Sequence, residues 1–192
     1  MAVKASKKKF RLEIKKKLNQ QKPFSLVKKS NKIIKRVFQL PQTKSAQNIM
    51  CYVAQPTEVK TDDLIGTLLK QDKNLTVPVI NNKQIEPAII KNTSELKPSK
   101  YQILQPKNPK IFEGKIDLNI MPALAVDQKG NRLGRGYGCY DRFLEQDQPK
   151  FNLCLVFGFQ VLTHLPTQAH DQTVDGFITQ LQTQVFKTQP AK

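Results

Sequence analysis

Three glycines at alternate positions, Gly134, Gly136 and Gly138, are interleaved with Arg132 and Arg135 and followed closely by Asp141. Glycine lets a backbone take positive φ and approach a ligand closely. Backbone N–H groups gathered ahead of a helix N-terminus can cradle phosphate oxygens. The two arginines add charge-assisted donors, and Asp141 can hold a hard cation such as magnesium. The chemistry of these residue types is therefore that of a nucleotide phosphate site. The other reading is a glycine-rich turn whose arginines are simply solvated. Neither standard phosphate fingerprint is present: no Gly-Lys-Ser/Thr follows the glycines, and their spacing is not that of a dinucleotide loop.

The elements that must position this loop can be read from the periodicity. An apolar strand over residues 116–121 leads in, and an amphipathic helix over about 140–146 leads out. Phe10, Ile14 and Leu18, four apart, predict a helix over 7–18, and a second runs from about 24 to 38 until Pro41 breaks it. A strand is expected at 48–53, then a helix over 62–70 with Thr61 as its cap. A strand at 75–80 contains Pro78, which suggests an edge position or a bulge. Asn81-Asn82 reads as a turn into a hairpin partner at 84–90. Residues 91–115 are polar and proline-interrupted, with a short strand near 101–104. Further strands are expected at 152–157 and 177–179, and the glutamine-rich tail from about 180 is expected to fray. Alternating strands and amphipathic helices imply an α/β fold with a mostly parallel sheet and helices on both faces, in which ligands bind beyond the carboxyl ends of the strands.

Composition bounds the partners. A chain of 192 residues, 39% apolar, suits a single domain spanning 1–192. No run approaches the ~18 apolar residues of a membrane span, and the basic N-terminus lacks the apolar stretch of a secretory signal. Three cysteines, Cys51, Cys139 and Cys154, are an odd number with no close pair, which suits reduced thiols in the cytoplasm. The net charge of +17 is unevenly spread. Residues 1–44 hold thirteen lysines and two arginines against one acid, Glu13, whereas the rest of the chain holds 17 basic and 14 acidic residues. Such an arm can hold nucleic acid non-specifically or draw anionic small molecules towards a nearby site. It can also be a solvated helix face. Aromatic residues are not interleaved densely enough to stack bases, which ranks nucleic acid last.

The run Arg132-Leu-Gly-Arg-Gly-Tyr-Gly-Cys-Tyr-Asp-Arg-Phe-Leu144, preceded by Met121-Pro-Ala-Leu-Ala-Val-Asp127, resembles the signature of the 5-formyltetrahydrofolate cyclo-ligase (methenyltetrahydrofolate synthetase) family. Lys7 and Arg11, the segment Tyr52 to Glu58, Leu165-Pro166, His170-Asp171 and Val174-Asp175 extend the similarity across most of the chain. The resemblance implies a three-layer Rossmann-like sandwich and ATP- and magnesium-dependent closure of 5-formyltetrahydrofolate to 5,10-methenyltetrahydrofolate. It implies ATP contacts from Lys7, Arg11 and the loop Arg132, Leu133, Gly134, Arg135, Gly136, Tyr137, Gly138, Cys139 and Tyr140. Substrate contacts would come from Val53, Glu58 and Arg135 to Cys139, with Arg135, Glu58 and Tyr140 closest to the chemistry. Asp141 and Asp175 would hold Mg2+. The expected partners are ATP and a folate, with or without a polyglutamate tail, with the protein acting as a cytoplasmic monomer. In the family pattern two tyrosines precede the aspartate, whereas here Cys139 stands before Tyr140 and offers no aromatic face. A family member that binds ATP but acts on another formylated or pterin-like compound is the second reading. His170-Asp171 lacks the further ligands that a metal-dependent phosphohydrolase would need.

Overall fold

A computed structural model of the chain describes residues 2–99 and 103–186. Helices α1 (Ala2–Asn19) and α2 (Pro23–Gln39) come first, followed by the single turn α3 (Pro41–Ser45). Strand β1 (Asn48–Cys51) and α4 (Asp62–Leu68) lead to a hairpin of β2 (Asn74–Asn81) and β3 (Gln84–Ile89). A small hairpin, β4 (Leu96–Pro98) with β5 (Leu104–Pro106), precedes β6 (Lys110–Ile111). Then come β7 (Leu118–Pro122), β8 (Ala125–Asp127), β9 (Arg132–Leu133) and α5 (Cys139–Asp147). Strands β10 (Phe151–Leu155), β11 (Val161–Leu162), β12 (Gly176–Ile178) and β13 (Thr183–Val185) complete the fold.

The central sheet has eight strands in the order β13-β12-β10-β7-β1-β2-β3-β6. Its five inner strands, from β12 to β2, are mutually parallel, and the outer strands pair antiparallel. Alternation along the strands divides the core into two layers. Ile49, Cys51, Leu118, Ile120, Leu153 and Leu155 pack with Ile14 of α1, Ile33 and Val37 of α2, and Leu64 and Leu68 of α4. Met50, Met121, Cys154 and Phe177 point the other way and pack with Phe143 and Leu144 of α5. Helices therefore cover both faces, as the three-layer expectation requires.

Several local readings need correction. Pro78 is not at a sheet edge: β2 lies between β1 and β3. β1 pairs only with Asn74–Thr76, so the ladder on that side has ended before Pro78, and Pro78 faces Pro87 on β3. No amide donor is missed. The β2–β3 turn is Asn82-Lys83, both with positive φ (46° and 67°), one residue later than the sequence suggests. Thr61 does precede α4, but its hydroxyl makes no cap bond. It donates instead to the Tyr52 carbonyl and accepts from Ala54 N–H, fixing the chain as it leaves β1. Of the tail expected to fray, Thr183–Val185 form β13, an antiparallel edge strand on β12, while residues 187–192 lie outside the described residues. The strand expected near 101–104 falls partly on residues 100–102, outside the described residues, and β5 begins at Leu104.

Candidate active site

The glycine loop is reached indirectly. After β7, a hairpin of β8 and β9 turns the chain before the glycines begin, and β8 also pairs with β11. Asp127, fully buried, builds that turn: its carboxylate accepts from the N–H groups of Lys129 and Asn131, from the Asn131 amide and from Leu165 N–H. The hairpin delivers Arg132 to the cavity. The side chain of Leu133, an expected ATP contact, packs in the core at 2% exposure and does not line the cavity. Strand alternation explains this, because neighbouring residues on β9 point to opposite sides.

The loop then runs over the carboxyl ends of β1 and β7. Gly136 (φ 106°) and Gly138 (φ 67°) take left-handed conformations, and Gly138 is the residue from which α5 starts. Arg11 reaches up from α1, its Nε donating to the Gly134 carbonyl at 2.9 Å. A cavity of about 920 Å³ lies between this loop, α1 and the end of β1. Of the expected site residues, Lys7, Arg11, Val53, Glu58, Arg132, Gly134, Arg135, Gly136, Tyr137, Gly138, Cys139, Tyr140 and Asp141 all line it.

Seven cationic side chains face the cavity against three carboxylates, and each carboxylate already holds a cation. Arg135 donates from Nη2 (2.7 Å) and Nε (3.2 Å) to Glu58 Oε1, while Glu58 Oε2 accepts from Gln55 N–H. Arg132 Nη2 lies 2.9 Å from Asp141 Oδ1, which also accepts from Gln172 N–H. Lys7, buried, pairs with Asp171. Burial alone would raise the Asp171 carboxyl, but the Lys7 ammonium and the Gln168 N–H outweigh it and hold it below the ordinary aspartate value. Burial, reinforced by the Glu58 charge, pushes the Tyr140 phenol well above its usual range. Burial also raises the Cys139 thiol, against the pull of the nearby Arg142 charge.

Two expectations about metal are separated by the geometry. Asp141 faces the cavity, and its Oδ2 is uncommitted in the described hydrogen bonds. Asp175 sits just ahead of β12, accepting from Asn152 N–H at 2.7 Å, and does not line the cavity. The two carboxylates thus do not converge on one pocket. No group of three or more metal-ligating side chains occurs among the described residues. One carboxylate beside a phosphate cradle still fits magnesium, which keeps several waters and shares its remaining positions with substrate phosphates. Arg132 fits an anion as well: its Nε is buried with no partner among the described residues.

Sequence reasoning missed several lining residues: Lys4 and Lys8, the turn residue Lys83, the apolar wall of Pro78 and Ile80, and Asp171. Lys4 and Lys8 share a helix face with Lys7 and Arg11, a signal that was present but lost among so many lysines. Lys83 and Ile80 reach the cavity only through tertiary packing of the β2–β3 hairpin.

The chain is similar to known proteins over most of its length. The model of the 5-formyltetrahydrofolate cyclo-ligase family matches residues 3–180. The mouse 5-formyltetrahydrofolate cyclo-ligase is 27% identical, over 91% of this chain and 94% of its own. A probable 5-formyltetrahydrofolate cyclo-ligase of Schizosaccharomyces pombe is 29% identical, over 77% of this chain and 81% of its own. The NMR structure of Aquifex aeolicus 5,10-methenyltetrahydrofolate synthetase superposes with a TM-score of 0.85 at 24% identity, covering 97% of this chain and 95% of that one.

Proposed function

The chain belongs to the 5-formyltetrahydrofolate cyclo-ligase family, and on that basis we propose that it converts 5-formyltetrahydrofolate to 5,10-methenyltetrahydrofolate with consumption of ATP. The supporting observation is one cavity lined both by a cation-rich glycine loop and by Glu58. The loop suits a nucleotide's phosphates, and a carboxylate at Glu58 suits the N–H groups of a pterin ring.

In this reading the formyl oxygen attacks the γ-phosphorus and ADP departs. N10 then adds to the activated formyl carbon and gives up its proton to solvent or to the departing phosphate, which leaves with the oxygen. Formyl oxygen is a poor leaving group, and the phosphoryl group makes it a good one. The protein's work is positioning and charge stabilisation. Arg132, Arg135, Lys7 and Arg11 neutralise phosphate charge, while the protonated Tyr140 donates near the reacting centre. Arg135 is held by Glu58 in this structure, so a pterin taking over Glu58 would release Arg135 towards the phosphates. Asp141 would hold Mg2+, which would neutralise phosphate charge there; Asp175 does not line the cavity.

The test is the near-ultraviolet absorbance of methenyltetrahydrofolate formed from 5-formyltetrahydrofolate, ATP and magnesium. An ATP-dependent rise that needs more magnesium in Asp141→Asn is the expected result. Absence of any rise in the wild type sinks the reading. If nucleotide still binds, the second reading gains, because Cys139 lines the wall where the family pattern has an aromatic ring.

A further inference from the structure

Arg142, in the first turn of α5, does not line the cavity, yet its guanidinium joins two separate parts of the cavity wall. Its Nη2 donates to the carbonyl of Lys83 at 2.6 Å and to the carbonyl of Tyr137 at 2.9 Å, and lies 4.0 Å from Cys139 Sγ. Lys83 belongs to the left-handed β2–β3 turn, and its side chain lines the cavity. Tyr137 is the exposed tip of the glycine loop, set between two glycines of positive φ. The backbone leaves room for this contact: a Cβ on Gly138 would stand 2.9 Å from Arg142 Nη1. At the other end of the loop, Arg11 holds the Gly134 carbonyl. The loop thus has a carbonyl clamped by a guanidinium at each end. A carbonyl turned away to a guanidinium is one that does not repel a phosphate oxygen.

We infer that Arg142 is a positioning residue that ties the β2–β3 turn to the tip of the glycine loop and so holds the loop in its phosphate-binding shape. The inference rests on the nucleotide-binding reading above for its functional consequence, but the tie itself is testable without any ligand. Loop and turn belong to distant parts of the chain; α5 also packs against the hairpin through Phe143 and Ile85, but it is the Arg142 guanidinium that bonds a carbonyl of the turn and a carbonyl of the loop together. Removing that side chain must therefore loosen both together, which a local defect in α5 does not do.

The experiment compares the full-length wild type with Arg142→Met, which keeps the apolar stem, and Arg142→Lys, which keeps a cation. Amide hydrogen exchange without ligand is expected to quicken roughly tenfold in Arg142→Met at both the 82–84 turn and the 136–138 loop. Amides at 143–147 should keep their rates, and Arg142→Lys should recover part of the protection. In turnover, Arg142→Met should raise KM for ATP roughly tenfold while kcat stays within about twofold, the loss of one charge-assisted contact. Unchanged exchange at the turn and loop overturns the inference. So does exchange that quickens equally along α5, which would make Arg142 a helix-stabilising residue only. A wild type that neither binds nor uses ATP defeats the proposed function, and the exchange data then judge the tie by themselves.

Discussion

At the scale of single residues, the site consists of cations already paired with carboxylates. Lys7 with Asp171, Arg132 with Asp141 and Arg135 with Glu58 are each largely shielded from solvent. Removing one partner from such a pair leaves the other charge poorly solvated, so the loss exceeds that of a surface ion pair. Asp171→Asn should therefore lower unfolding stability at neutral pH by about 2 kcal/mol, measured by urea denaturation. The pH dependence has a definite sign. Asp171 is held below its ordinary value in the folded protein, so its contribution is complete above that ordinary value. It is lost as pH falls through the lower folded value. The wild type should thus lose its advantage over Asp171→Asn from about pH 4 downward. A gap between the two that persists unchanged at pH 2–3 counts against the pairing. Glu58 and the loop arginines were recognisable from the motif. Asp171 was visible only as one half of a His-Asp dipeptide, because its partner Lys7 lies 164 residues away.

At the scale of elements, α2 shows how strongly its two faces differ. Ile33 is wholly buried beneath the sheet face, while Phe24 is 80% exposed at the first turn. Ile33→Ala should cost about 3 kcal/mol through lost burial and the cavity left behind. Phe24→Ala should change stability by no more than about 0.5 kcal/mol, and chemical denaturation of the two variants tests the contrast. Equal effects would mean that α2 packs by another face. Both long helices could be read in advance because each spans enough residues to show its period, and the inner strands because each falls in a short apolar run. β8, β9, β11 and β13 could not, since two or three residues carry no period. Their pairing partners, such as Val126 with Val161, are distant in sequence. Pro78 misled for a related reason: the residue type forbids a donor, but only the register shows that no acceptor is waiting.

For the whole molecule, the question is what the concentrated positive charge does. The excess in residues 1–44 is carried by α1 and α2, and α1 forms one wall of the cavity with Lys4, Lys7, Lys8 and Arg11. Sequence alone suggests that deleting residues 1–6 would barely affect turnover, since Lys7 and Arg11 remain. The structure changes that expectation, because the deletion removes Lys4 and the helical turn that leads into the buried Lys7. KM for ATP should rise about threefold with kcat nearly unchanged, and the difference should shrink in roughly 0.5 M salt as screening takes over. Identical KM values at low salt would leave the arm without a role at the site. The order of elements, the alternating α/β pattern and the glycine-arginine loop are local properties of the chain, set by periodicity and residue type, and they were determined by the sequence itself. Which of the arm's lysines meet the cavity, that Leu133 turns into the core, and that Asp141 lines the cavity while Asp175 does not depend on strand register and helix placement. Those are sums of contacts between residues far apart in the chain, and only the tertiary structure decides them.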